Sequence, residues 1–147
     1  MKAREIMSTN VECVTREDSL SHAAQLMRDS NVGAIPVVDD RGSMRLLGVI
    51  TDRDIAIRHV AGDNADDCTV GDHMTSGRLY TASPDDDVDT VMRTMKTEQV
   101  RRVPVCEGER LVGIIAQADI ATADIDDAST GEVVERISEP DRSAQRD

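Results

Sequence analysis

The residues able to do chemistry are few, and their spacing is loose. Three histidines (His22, His59, His73) and three cysteines (Cys13, Cys68, Cys106) are the candidates for proton transfer, nucleophilic attack or soft-metal ligation. The cysteines are far apart, with neither a CxxC pair nor a Cys-His fingerprint, so no disulfide framework or zinc finger is signalled. They read as small apolar groups, buried or half-buried. His22 sits beside an apolar helix stripe and reads as a surface residue. His59 and His73 flank a stretch holding Asp63, Asp66, Asp67, Cys68 and Asp72. That stretch carries donors for an ion such as zinc, but its plainer reading is a polar linker, and no metal site is assigned. Thr51-x-x-Asp54 has the form of a helix start, with threonine as the cap and a carboxylate near the positive end of the helix dipole. The Arg101-Arg102 doublet can grip an anionic group bidentately or offset the acidic surface. Nucleophile elbows, Walker loops, dinucleotide glycine fingerprints and HExxH helices are all missing from the sequence. No catalytic residue is therefore assigned, and the chain reads as a non-enzyme.

The elements that must position these groups occur twice. Ile6-Met7 aligns with His73-Met74 at an offset of 67 residues. Leu20, Ala23, Ala24 and Met27 align with Val88, Val91, Met92 and Met95 at an offset of 68, and so do Val32, Ile35, Pro36 and Val37 with Val100, Val103, Pro104 and Val105. Leu46, Gly48, Ile50, Asp54 and Ile55 align with Leu111, Gly113, Ile115, Asp119 and Ile120 at an offset of 65. The register changes fall in loops, where insertions are tolerated. In each copy a short strand (residues 11–14 and 79–81) precedes a helix whose apolar residues recur at i, i+3, i+4 and i+7. Ser19 or Asp18, and Asp86 or Asp87, are placed to cap those helices. Strands over 34–38 and 102–106 follow, their prolines pointing to a strand start or edge. Acidic turns, third strands over 46–50 and 111–115, and closing helices complete each β-α-β-β-α unit. Such a unit has about 50 residues, too few to bury a good core alone. The pattern predicts an α+β fold in which two units pack sheet to sheet as one pseudo-two-fold symmetric module. The first copy spans 1–62, a linker helix and the second copy span 63–122, and an acidic tail spans 123–147 with a short helix over 131–137.

Composition removes several classes of function. Lys plus Arg is 17 and Asp plus Glu is 29, giving a net charge of −12. Such a surface disfavours nucleic acid and anionic membranes. Tyr80 is the only aromatic residue, which excludes a base-stacking platform. No apolar run approaches the roughly 18–20 residues of a membrane span, and the N-terminus has no secretory leader, so a cytoplasmic protein is expected. There are 20 aspartates and only 2 lysines. Dense, well-hydrated carboxylates of this kind also mark proteins of salt-loving organisms, because they keep a chain soluble when salt screens repulsion.

The motifs Glu5-Ile6-Met7, Val32-Gly33-Ala34-Ile35-Pro36-Val37-Val38 and Leu47-Gly48-Val49-Ile50-Thr51-Asp52-Arg53-Asp54 together resemble a cystathionine-β-synthase-type (CBS) repeat. Asp72-His73-Met74, Val100-Arg101-Arg102-Val103-Pro104-Val105 and Leu111-Val112-Gly113-Ile114-Ile115 with Asp119-Ile120 form the second. The resemblance covers roughly residues 2–122. It implies a non-catalytic regulatory or sensor module that binds an adenosine-containing ligand between the repeats and modulates a partner. That ligand would be AMP, ADP, ATP or S-adenosylmethionine, with no catalytic cofactor. It also implies a homodimer with an unidentified regulated protein. By the family pattern one site joins Val49, Thr51 and Asp54 to Leu79, Val100, Arg101, Arg102 and Val103. Asp54 would take the ribose with Thr51 beside it, Val49, Leu79 and Val103 would line the adenine slot, and the arginines would face phosphate. The second site joins Asp119 to Asn10, Val11, Glu12, Val32, Gly33 and Ala34. It departs from the pattern, because Ala116 stands in place of the hydroxyl and Gly33-Ala34 in place of the arginine doublet, so it is expected to be weak or vacant. Two other readings remain: a ligand-free interaction scaffold, and a metal- or redox-responsive dimer using Cys13, Cys68 or Cys106.

Overall fold

The computed structural model describes residues 1–62, 68–77 and 79–123. The expected helix over 131–137 and the acidic tail from residue 124 lie outside the described residues, as do 63–67 of the linker. Two compact units are present, and they do not follow chain order. Among the described residues, one is Glu12–Leu79; the other combines Met1–Val11 with residues 80–123.

The first unit contains β1 (Val14–Thr15), α2 (Leu20–Ser30), β2 (Ala34–Val38), β3 (Leu46–Thr51), α3 (Asp54–Val60, wound as a π-helix) and α4 (Val70–His73). The strands form one sheet in the order β1-β2-β3. β1 runs parallel to β2, with Val14 opposite Val37, and β2 runs antiparallel to β3, from Ala34 opposite Thr51 to Val38 opposite Leu46. α2 begins at Ser19, whose hydroxyl accepts the amide of His22 at 3.0 Å. Its buried stripe is Leu20, Ala23 and Met27. Ala24 is exposed, and the half-buried Leu26 packs on the core in its stead. The core combines this stripe with Val14, Ile35, Val37, Ile50 and Val70. Each fully buried Val or Ile contributes about 1.5–3 kcal/mol of transfer free energy.

The second unit contains α1 (Ala3–Ile6), α5 (Val88–Glu98), β4 (Arg102–Glu107), β5 (Arg110–Ala116) and α6 (Gln117–Thr122). β4 and β5 pair antiparallel, from Arg102 opposite Ala116 to Glu107 opposite Arg110. Val88, Val91, Met92 and Met95 of α5 are all buried, against Ala3, Val103, Val105, Ile115 and Ile120. Methionine fills the space that aromatic residues often occupy in a core.

The same local devices recur in both units. Each ladder carries an irregularity at the same place, between Val37 and Val38 and between Val105 and Cys106. α2 ends on Asn31 and α5 on Gln99, both left-handed at φ 54° and 55°. The following amides, of Val32 and Val100, bond back to the carbonyls of Met27 and Met95. The left-handed residue is what allows that backward bond to close the helix.

The first strands lie slightly later than their sequence pattern implies. β1 is Val14–Thr15, and its counterpart in the second unit is a single bridge from Ala82 to Val105. The prolines are inside strands, not at their starts. Pro36 faces Val49, and Pro104 faces Ile114. Val49 spends its amide and carbonyl on Thr75, and Ile114 spends its own on Ser8. Each proline thus occupies a non-hydrogen-bonded ladder position, where its missing N–H removes no bond to the neighbouring strand.

Those bonds add one more short segment to each sheet. In the second unit the chain just after α1 bridges β5 through Ser8 and Ile114; in the first, the chain just after α4 bridges β3 through Thr75 and Val49. Both segments pass directly over a glycine. A Cβ on Gly48 would lie 2.3 Å from the Thr75 carbonyl oxygen, and one on Gly113 would lie 2.6 Å from Met7 Sδ. No helix among the described residues is long and apolar enough to cross a membrane.

Candidate functional site

Among the described residues a carboxylate accepting the backbone amide three residues earlier recurs six times, in three equivalent pairs. Asp18 takes the amide of Thr15 (2.8 Å) and Asp86 that of Ser83 (2.9 Å). Glu5 takes the amide of Lys2 (2.6 Å) and Asp72 that of Thr69 (2.9 Å). Asp54 takes the amide of Thr51 (3.0 Å) and Asp119 that of Ala116 (2.7 Å). These groups satisfy amides that helix starts and turns leave without an intrahelical partner. Five of the 20 aspartates thereby have an architectural role.

The third pair contains the sequence-derived ligand residues, and there the copies differ. Thr51 Oγ1 accepts the amide of Asp54 at 3.0 Å, so Thr51 and Asp54 cap one another reciprocally. Ala116 has no hydroxyl and cannot return the bond. Asp54 is 8 % exposed. Its Oδ1 is within 3.5 Å of the Thr75 hydroxyl and 3.7 Å of Arg58 Nε. Ionised, it has acceptor capacity for more than these partners, and its burial makes each bond count for more. Asp119 is half-buried, and its side chain has no cation or hydroxyl partner among the described residues.

Beside each cap lies the start of the preceding strand. Ala34 pairs with Thr51, and the Asp52 amide donates to Gly33. Arg102 pairs with Ala116, and the Gln117 amide donates to Arg101. The first unit therefore groups Val32, Gly33 and Ala34 with Val49, Thr51 and Asp54. The second groups Val100, Arg101, Arg102 and Val103 with Asp119. Arg101 and Arg102 are both half-buried, and Arg101 Nε is a buried donor with no acceptor among the described residues. Leu79 is half-buried in the first unit, and Val103 is fully buried in the second. Asn10 is exposed and Val11 half-buried, both in the second unit. Glu12, exposed in the first, accepts the Ser30 hydroxyl. Each of the two sites derived from the sequence thus draws on residues of both units.

A second constellation belongs entirely to the first unit. His59 at the end of α3, Cys68 before α4 and His73 at its end bring one ligand atom each within 4.8 Å of one another. The imidazoles meet edge-on, with centroids 5.4 Å apart and planes at 65°. His59 Nδ1 and His73 Nε2 are buried with no hydrogen-bond partner among the described residues. The sequence reading takes this stretch as a polar linker. Its only forewarning is His-x8-Cys-x4-His, a spacing too open to act as a fingerprint. Cys13 and Cys106 lie outside this group. Burial pushes both of their thiols up from the ordinary cysteine value, which favours the less reactive protonated form.

Comparison with known proteins gives a consistent result. The CBS domain family model matches residues 3–59 and 70–126. YlbB of Bacillus subtilis is 34% identical over 140 residues, covering 95% of this chain and 93% of its own length. A crystal structure of hypoxic response protein I with two coordinated zinc ions superposes with a TM-score of 0.73 at 38% identity, covering 83% of this chain and 98% of that one. The CBS domain pair of MJ0100, in complex with 5′-methylthioadenosine and S-adenosyl-L-methionine, superposes with a TM-score of 0.69 at 29% identity, covering 84% of this chain and 94% of that one.

Proposed function

Because this chain belongs to the CBS domain family, we propose that it is a regulatory module that binds an adenosine-containing ligand and passes the binding state to a partner protein. AMP, ADP, ATP and S-adenosylmethionine are the candidate ligands, and the module works in the cytoplasm as a homodimer without catalysing a reaction. One site is competent. There Asp54 accepts the ribose hydroxyls, Thr51 stands beside them, Val49, Leu79 and Val103 enclose the adenine, and Val100 completes the site. Arg101 and Arg102 take the phosphate as bidentate donors. The site formed by Asp119 with Asn10, Val11, Glu12, Val32, Gly33 and Ala34 lacks both the hydroxyl and the basic doublet, and is weak. Ligand can bias the partner-facing surface only by its differential affinity for two arrangements of the module.

The observation that carries this reading is Arg101 Nε, a buried donor without an acceptor among the described residues. Buried donors are normally satisfied, and an anionic oxygen supplies what this one lacks. MJ0100, a relative by structure and sequence, binds two adenosyl compounds, which supports the ligand class. Isothermal titration of the full chain with the four candidates and with adenosine, in low and high salt, tests the proposal. Arg101→Gln is expected to weaken a phosphorylated ligand by about 10-fold or more, the value of one lost charge-assisted bond, and to leave adenosine unchanged. Asp54→Asn is expected to weaken every ligand, and Asp119→Asn to have a smaller effect. Absence of heat for all ligands would favour the ligand-free scaffold.

A further inference from the structure

We propose that His59, Cys68 and His73 form a binding site for one soft or borderline divalent cation, with Zn2+ the best match to the donor set. The site lies wholly in the first unit and does not depend on adenosyl binding.

The chemistry of the donors selects the ion. Two imidazoles and a thiolate are poor ligands for Ca2+ or Mg2+, which take oxygen, and suit Zn2+ well. In a tetrahedral zinc site the ligand atoms stand roughly 3.3–3.6 Å apart, from metal–ligand bonds of about 2.0–2.3 Å. Here they lie within 4.8 Å of one another, so small side-chain rotations bring all three onto one ion. Three protein ligands leave a fourth position for water or another small donor.

The unmet valence of the imidazoles is the second, independent observation. His73 is only 9 % exposed, yet its Nε2 has no partner among the described residues, and neither has His59 Nδ1. An orphaned buried nitrogen costs free energy unless something satisfies it. The other repeat shows what the fold needs at this place, since Ile6 stands where His73 stands and packs against an apolar core. An imidazole there is not required for packing.

Main-chain contacts hold the ligands from opposite sides. The Cys68 carbonyl accepts the Leu20 amide at 3.4 Å, and the Val70 and Gly71 amides donate to Asp18 and Arg16. Arg58, next to His59, donates to the His73 carbonyl at 3.4 Å. A bound ion would staple the end of α3 to α4. On binding, the Cys68 thiol gives up its proton to solvent and the thiolate sulfur donates an electron pair to the cation, with no change in oxidation state.

The test is titration of the chelator-stripped full chain with Co2+, a coloured stand-in, followed by competition with Zn2+. One equivalent per chain is expected, with thiolate-to-cobalt charge transfer and the strong visible bands of a tetrahedral centre. Cys68→Ser should abolish the charge-transfer band. His59→Gln should weaken Zn2+ by more than about 100-fold, since even outer partners of metal ligands are worth 10–100-fold. His22→Gln should match the parent chain. His73 is buried and replacing it puts the folding of the unit at risk, so the half-buried His59 and Cys68 carry the test, with circular dichroism confirming that each variant is folded. Failure of the parent chain to bind, or binding of equal affinity and spectrum in the folded Cys68→Ser and His59→Gln variants, would overturn the proposal. Neither result bears on nucleotide titrations, so the two proposals fail separately.

Discussion

Where the last strand of each repeat hands over to its closing helix, the capping pair of one copy carries a hydroxyl that the other lacks. Thr51 and Asp54 exchange two hydrogen bonds, whereas Ala116 and Asp119 share one. The neighbouring strand starts differ in the opposite sense, with Gly33-Ala34 in one copy and Arg101-Arg102 in the other. At a third position His73 replaces Ile6. Elsewhere the copies agree in their ladder irregularities, left-handed helix ends, interior prolines, crossing glycines and carboxylate caps. The shared devices build the fold, and these three differences fall at polar groups with unmet or spare bonding capacity. Divergence inside a duplicated frame is therefore a pointer to function that needs no alignment.

The largest expected effect tests the shared part. Gly48→Ala is expected to cost about 3 kcal/mol, because its Cβ would meet the rigid Thr75 carbonyl at 2.3 Å, at the upper end for overpacking. Gly113→Ala should cost only about 1 kcal/mol, because the nearest atom belongs to the flexible Met7 side chain. Urea denaturation of both variants measures the difference, and equal costs would show that the two crossings are stiffer or softer than their geometry implies. A smaller effect tests the divergent cap. Thr51→Ala makes the first copy like the second and should cost about 1 kcal/mol, while Ala116→Thr should recover part of that in the other copy. A neutral Thr51→Ala would mean that the hydroxyl is kept for ligand alone.

The smallest effect separates two surface carboxylates, the half-buried Asp39 and the exposed Asp85, by their response to acid and salt. Hydrogen bonds from Ser43 and from the Asp40 and Arg45 amides hold Asp39 below the ordinary carboxylate value, aided by the Arg45 charge. Asp85 is lowered by its bond to Arg4, by the charge of Arg4 and by Lys2. A carboxylate lowered in the folded state contributes stability above its unfolded pKa, and that contribution disappears as pH falls through the folded value. Urea midpoints followed from pH 6 down to pH 3 should therefore decline in both Asp39→Asn and the parent, and less steeply in the variant. Added salt should shrink the Asp85 contribution more than that of Asp39, because the first is an exposed ion pair with Arg4, aided by the Lys2 charge, and the second rests mainly on hydrogen bonds from uncharged donors.

Much of this molecule is legible in its residues. The stripes of α2 and α5 and the Ser19 cap are local properties, and i, i+3, i+7 spacing reports them directly. Strands β2 to β5 follow from short runs rich in Val and Ile bounded by turn residues. Ala24 was less legible, because an alanine fits on either side of a stripe edge. The first strands were misplaced by a few residues because two ladder pairs, or a single bridge, leave almost no sequence trace; register against β2 and β4 decides where they lie. The interior prolines are hard to place for a related reason, since their tolerance depends on the register against β3 and β5, which decides whether a missing N–H would have faced the paired strand. The carboxylates of the candidate site were easy to find but hard to interpret, since Asp18, Asp72 and Asp86 make the same local bond as Asp54 and Asp119. His59, Cys68 and His73 were individually visible, but only the folding of the linker back onto α3 makes them neighbours.

The segment that bridges β5 at Ser8 comes from the opposite end of the chain, so Met1–Val11 completes a unit whose other residues start only at Tyr80. Clipping by an aminopeptidase, or a bulky tag fused at Met1, would then be felt in the later half of the polypeptide and leave the earlier half with all its own pieces. During synthesis on the ribosome, those leading residues must wait, unclaimed, until the last strand has emerged.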